Sequence, residues 1–171
     1  YNTGRFMSLL KKMGMTTLRF SEEHYGASLS LGGAEGTLWY LTGMYASLAR
    51  TLAHYRIYNG RYNPADIHPL TPFPASPTDP LRSVADKRLT DKPLLSAASI
   101  WFTFEAMSAL NRPEEEADWQ QFGSMKQVAW KTGTSYGGRD AWAIGTTPRY
   151  TVGVWVGNAS GEGRPGLTGV G

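Results

Sequence analysis

Lys131-Thr132-Gly133-Thr134-Ser135 sets a cation, three hydroxyls and a glycine in five consecutive positions. The run falls in a stretch, Lys126 to Ser135, that reads as a β-strand. Strand alternation then puts Lys131, Gly133 and Ser135 on one face and Thr132 and Thr134 on the other. Gly133 has no side chain, so the backbone of a ligand can lie close to the strand. The lysine and threonines can hold a carboxylate through charge-assisted hydrogen bonds worth about 1.5–3 kcal/mol each. A backbone N–H of such a strand can also point at an oxyanion, a donor whose loss costs about 2.7–4 kcal/mol in the barrier. Alone, the tetrapeptide is an ordinary polar strand or turn; its surroundings give it weight.

Those surroundings are helices first and strands last. Phe6, Leu9, Leu10 and Met13 recur on one face and predict a helix over Arg5–Met13, stopped by Gly14. Gly26 to Gly36 is rich in small residues and reads as a compact loop. Thr37 is the expected N-cap of a long helix from Leu38 to about Tyr55, with Leu38, Leu41, Tyr45, Leu48 and Leu52 as its stripe. Gly43 inside that helix costs roughly 1 kcal/mol against alanine, which close packing would rationalise. Asn59-Gly60 signals a turn. Seven of the ten prolines lie between Pro64 and Pro93, so a long irregular loop is expected there. Ser96 is placed to cap a third helix, Ala97 to about Leu110, with Ile100, Phe104, Met107 and Leu110 in line. Pro113 ends it, and Glu114, Glu115 and Glu116 follow as a solvated turn. Strands are expected over Lys126–Ser135, Ala141–Thr146 and Tyr150–Gly157, with a loose glycine-rich tail after Asn158. The fold class is therefore α+β, helices followed by a three-stranded antiparallel meander. The parts are a helical segment over 1–57, a proline-rich loop over 58–95, a helix over 96–112 and strands over 125–157.

Composition narrows the function. At 171 residues the chain suits one domain and can bury about 70% of its unfolded surface. Its net charge of +3 comes from interspersed residues, with no basic run of the density that nucleic-acid binding needs. There is no cysteine, hence no disulfide or thiolate metal site, and the three histidines are widely spaced. No metal or organic cofactor is expected. No signal peptide or apolar stretch of membrane-spanning length is visible. The first residue is Tyr1 rather than methionine, so the chain is read as an excised or processed segment.

Several stretches together resemble the transpeptidase domain of class A penicillin-binding proteins. The run from Gly26 to Thr37 resembles the family's loop into a core helix, and Tyr45-Ala46-Ser47-Leu48-Ala49 the helix that follows. Val128 to Trp142, through Lys131-Thr132-Gly133-Thr134, is the closest stretch. Trp130, where many relatives carry glycine, is similar to the 1C type. Val152-Gly153-Val154-Trp155-Val156-Gly157 resembles the next strand. The resemblance covers most of the chain apart from the proline-rich loop, and it implies a partial β-lactamase/transpeptidase-like fold. Lys131 would then tune the electrostatics and proton traffic around a serine hydroxyl. Thr132, Gly133, Thr134 and Ser135 would line the substrate, the threonine hydroxyls binding its carboxylate, and the Thr134 N–H would serve an oxyanion hole. Arg139, Asp140 and Trp142 would shape the hairpin beside the groove; for Arg139 and Asp140 a turn-stabilising pair is an equal reading. Trp130, Trp142 and Trp155 are expected to pack rather than to stack on a ligand.

The family also needs Ser-x-x-Lys and Ser-x-Asn. No Ser-x-Asn occurs, and Ser8-Leu9-Leu10-Lys11 is read as accidental, on a surface helix. The nucleophile is thus expected before Tyr1, and the chain by itself is expected to be inactive. The implied parent is a membrane-anchored D,D-transpeptidase on the periplasmic face of the bacterial inner membrane. It would cross-link peptidoglycan stem peptides and bind β-lactam antibiotics. A non-enzymatic peptide or β-lactam binding module and a serine β-lactamase-like hydrolase are the alternatives. The strand Tyr150–Gly157 is expected to have an unpaired edge or to pair with another copy.

Overall fold

The computed structural model describes residues 2–72, 88–109 and 128–167. The chain divides into two compact units, Tyr1–Ile100 and Trp101–Gly171.

In the first unit, α1 (Thr3–Lys12) starts at Asn2, whose side chain accepts the Arg5 N–H at 2.7 Å, and ends before Gly14. Its apolar side, Phe6, Met7, Leu9 and Leu10, packs on a core of Met13, Met15, Leu18, Tyr25, Leu29 and Met44. The one-turn helix α2 (Glu22–Tyr25) runs into a 3₁₀ stretch over Gly26–Leu31. The expected loop over Gly26–Gly36 is therefore helical in its first half. The Ser28 and Ser30 hydroxyls donate to the Tyr25 and Ala27 carbonyls, which stabilises the tight turns.

The long helix α3 (Leu38–Ile57) is capped by Thr37, whose hydroxyl accepts the Tyr40 N–H at 3.1 Å. Its buried residues are Gly43, Met44, Ser47 and Thr51, while the expected stripe is half-buried or, at Leu38, exposed. The cause is the segment 63–70, which lies across the small-residue face. The Ser47 hydroxyl donates to the His68 carbonyl at 3.0 Å and accepts the His68 N–H at 3.3 Å. A Cβ on Gly43 would sit 3.3 Å from Leu70 Cγ, tighter than ordinary contact, so the segment packs closely over this glycine. Asp66 is buried, with Oδ1 2.7 Å from His54 Nδ1, and its carbonyl accepts from Arg50 at 2.5 Å.

Asn59 and Gly60 make the expected turn, both at positive φ. The described ends of the proline-rich loop are structured. Asn63 caps a 3₁₀ turn over Pro64–Asp66, and Tyr62 pairs with Thr90 through two backbone hydrogen bonds. Residues 73–87, the middle of that loop, lie outside the described residues. Helix α4 (Ala97–Ser108) opens at Ser96, whose Oγ accepts the Ser99 N–H at 3.1 Å. Ile100 and Met107 of its stripe are buried; Leu110, Pro113 and the acidic run lie outside the described residues. Among the described residues, no helix is long and apolar enough to cross a membrane.

The second unit holds β1 (Ala129–Thr134), β2 (Asp140–Thr146) and β3 (Thr151–Gly157) in the order β1-β2-β3, both ladders antiparallel. The α+β order and the three-strand meander are thus as expected, each strand starting one to three residues later than predicted except β2, which starts at Asp140.

Candidate functional site

The pairing register fixes which groups β1 shows to each side. Lys131 faces Ile144, Thr132 faces Ala143, Gly133 faces Trp142 and Thr134 faces Ala141. Residues opposite one another share a sheet face, so Lys131 and Gly133 lie with Ile144 and Trp142, and Thr132 and Thr134 with Ala143 and Ala141. The Ser135 N–H donates to the Asp140 carbonyl at 2.9 Å, which sets the phase of the ladder. Bonded and non-bonded pairs alternate from there. Ala129, Lys131 and Gly133 exchange hydrogen bonds with β2, and the N–H and C=O groups of Thr132 and Thr134 are aimed at the opposite edge. No strand lies along that edge among the described residues.

Lys131, Gly133 and Thr134 are exposed. The Lys131 ammonium donates to the Thr132 carbonyl, one of the groups aimed at that edge. A Cβ built on Gly133 meets nothing within 4 Å, so the surface above the glycine is clear. Lys131 and Thr134 are thus exposed along a strand edge that also carries outward N–H groups, an arrangement that can bind a carboxylate and an oxyanion.

Ser135 plays a different part from its neighbours. Its hydroxyl donates to Asp140 Oδ2 at 2.8 Å and accepts the Asp140 N–H at 2.8 Å. The other carboxylate oxygen accepts the Trp155 indole N–H at 2.8 Å. Asp140 therefore ties the end of β1, the start of β2 and the end of β3 together. Of the two readings of Arg139 and Asp140, no ion pair joins them to one another; the aspartate's partners are Ser135 and Trp155, across the hairpin. Composition gave no sign of this link, because Asp140 and Trp155 are 15 residues apart. Trp142 and Trp155 pack in the sheet with ring centroids 6.4 Å apart, in line with a packing role.

The hairpin turn uses Gly137 and Gly138 at φ 76° and 60°, values that favour glycine. The expectation of a loose tail is corrected over 158–167. Asn158 donates to the Glu162 carbonyl and accepts from Arg164 Nε at 2.9 Å, and the Arg164 N–H donates to the Gly138 carbonyl at 3.0 Å. These bonds fold the tail back on the β1–β2 turn. Ser8 and Lys11 are both exposed on α1, and among the described residues no hydrogen bond joins them.

No family model matches the chain. A curated relative does, and it is of the type to which Trp130 pointed. The chain spans only about a sixth of that relative's length, 17%. Over 161 residues, 94% of this chain, it is 29% identical to penicillin-binding protein 1C of Escherichia coli (strain K12).

Proposed function

We propose that this chain supplies the Lys-Thr-Gly wall of a serine D,D-transpeptidase that cross-links peptidoglycan stem peptides. The observation that carries the reading is the β1 edge, where the exposed Lys131 and Thr134 flank the uncovered Gly133. A serine hydroxyl attacks the D-Ala-D-Ala carbonyl, its proton passing to a neighbouring base, and the terminal D-Ala leaves as the amine. An amine of a second stem peptide then attacks the acyl-enzyme and regenerates the serine. Lys131 lowers the cost of negative charge in this pocket. Thr132 and Thr134 hold the substrate carboxylate, and the Thr134 N–H supports the oxyanion. Ser135 acts mainly from behind, by fixing the strand end through Asp140. β-Lactams acylate the same serine. The chemistry needs no metal or organic cofactor.

The nucleophile in this reading comes from outside these 171 residues, on a parent anchored at the periplasmic face of the inner membrane. Fluorescent penicillin should leave the 171-residue chain unlabelled. The protein expressed from the whole reading frame should be acylated at a serine of a Ser-x-x-Lys motif. Labelling of Ser8, or no labelling of the whole protein, would sink the proposal. Turnover of nitrocefin would instead assign a β-lactamase-like hydrolase, and reversible capture without acylation a binding module.

A further inference from the structure

The turn that ends the ligand edge is held from outside its own hairpin. β1 runs into Ser135, Tyr136, Gly137 and Gly138 before β2 begins at Asp140. At its base the hairpin closes itself, through the Ser135 N–H on the Asp140 carbonyl and the Ser135 hydroxyl on the Asp140 carboxylate. Its tip has less to rely on. Gly137 and Gly138 follow one another at positive φ, and glycine is the residue whose backbone is freest to move. Tyr136 beside them is 97% exposed, so its ring gives them little support. The tail after β3 supplies that support. The Arg164 N–H donates to the Gly138 carbonyl at 3.0 Å. The backbone at Gly163 lies so close to the Gly137 carbonyl that a Cβ there would overlap its oxygen. The tail is itself tied into shape. Arg164 Nε donates to Asn158 Oδ1 at 2.9 Å, Asn158 Nδ2 to the Glu162 carbonyl at 3.0 Å, and the Gly161 N–H to the Asn158 carbonyl at 2.9 Å. Asn158 follows directly on Gly157, the last residue of β3, so the tie starts from the sheet.

We infer that Asn158, Gly163 and Arg164 are positioning residues for acyl transfer at the β1 edge. The inference rests on the transpeptidase reading above. Thr134, whose N–H supports the oxyanion in that reading, is the last residue of β1 and lies close to the tip in sequence. A tip free to swing would twist the end of β1 and re-aim that N–H. An oxyanion donor works because it is aimed before charge develops, so slack at this point raises the barrier. The tail removes the slack without covering the edge, since its hydrogen bonds go to Gly138 and to itself. None of the three residues touches a reacting atom; they act through the turn. Lys131 and Thr132 lie further from the tip and are held by their pairing with Ile144 and Ala143. Binding of the ligand therefore depends on the clamp less than its reaction does.

The test uses the whole protein and fluorescent penicillin. Rapid mixing over a range of penicillin concentrations separates three quantities: the Kd of the first complex, the rate constant of acylation, and the fraction of protein labelled at completion. Gly163→Ala drives a methyl group against the Gly137 carbonyl and should lower the acylation rate constant about tenfold, with Kd changed less than about threefold. Arg164→Ala and Asn158→Ala each break the tie inside the tail and should lower the rate constant about threefold. Arg164→Lys keeps a donor for Asn158 and should recover most of that loss. A tail that serves stability alone predicts a different pattern: a smaller labelled fraction, or a lower urea midpoint, with the labelled molecules reacting at the natural rate. That pattern overturns the inference and leaves the transpeptidase reading intact. Arg164→Ala changes an exposed side chain and decides the matter even where alanine at 163 prevents folding. A natural protein that penicillin does not label overturns the transpeptidase reading and the inference together.

Discussion

The two edges of one small sheet solve opposite problems. Along β1 the exposed groups are a lysine, a threonine and a bare glycine; along β3 they are valines flanked by half-buried glycine and threonine. Both strands aim alternate N–H and C=O groups outward, so backbone geometry alone does not distinguish them. The side chains do. A cation beside an outward N–H favours an anion and disfavours another strand, whereas a neutral valine line favours a strand and gives an anion nothing to hold. β1 thus offers polar groups to a ligand, and β3 offers an uncharged apolar line.

The sharpest way to break this comparison is to strip the charge from one edge. Lys131→Ala in the whole protein should lower β-lactam acylation about 100-fold, equivalent to about 2.7 kcal/mol of barrier. Unfolding of the 171-residue chain should change by less than about 0.5 kcal/mol, because the side chain is exposed. Val154→Thr on the opposite edge, a small uncharged change, should leave acylation unchanged. Equal effects of the two substitutions on acylation would erase the distinction between the edges.

Asp140→Ala tests how the β1 edge is held. It removes the acceptor of the Ser135 hydroxyl and the Trp155 indole. Urea denaturation should show a loss of about 2 kcal/mol, with Asp140→Asn losing less, because an amide oxygen can still accept one of the two bonds. Gly133→Val separates stability from function on the same strand. The side chain would enter clear space, and a β-branched residue suits a strand, so stability should rise by about 0.5–1 kcal/mol. β-Lactam acylation of the whole protein should fall, since the valine occupies the surface where a ligand backbone would lie. A loss of stability would mean that the glycine is needed for the fold rather than for access.

Much of this was readable beforehand where the rule is local. Thr37 and Ser96 cap the helices expected of them, because an N-cap depends on three or four adjacent residues. The face split of Lys131 and Gly133 from Thr132 and Thr134 follows from alternation and survives in the register. The failures are long-range. On α3 the apolar stripe predicted the burial of leucines, yet Ser47 and Thr51 are buried more deeply. Ser47 can be buried because its hydroxyl exchanges hydrogen bonds with the backbone of His68, 21 residues on, a partner no periodicity reveals. The partners of Asp140 were hidden for the same reason: its neighbour in sequence is Arg139, but its neighbours in space are Ser135 and Trp155. The tail after Asn158 looked loose because glycines dominate it, and it is held by one asparagine and the backbone of Arg164.

The smallest effect concerns pH, and it contrasts both edges with the first unit. β3 carries no titratable side chain, so its edge should be indifferent to mild acid. Asp66 in the first unit is not indifferent. Burial raises its carboxyl above the ordinary 3.8, against the opposing pull of His54, Arg50 and His68. A carboxyl whose folded-state pKa is raised holds its proton more tightly when folded. Its contribution to stability is complete below the unfolded-state pKa and is lost as pH rises through the folded-state value. Relative to Asp66→Asn, the natural chain should therefore gain stability as pH falls through the folded-state value, and the difference should level off below the unfolded-state one. Urea midpoints of the two proteins across that range measure the slope.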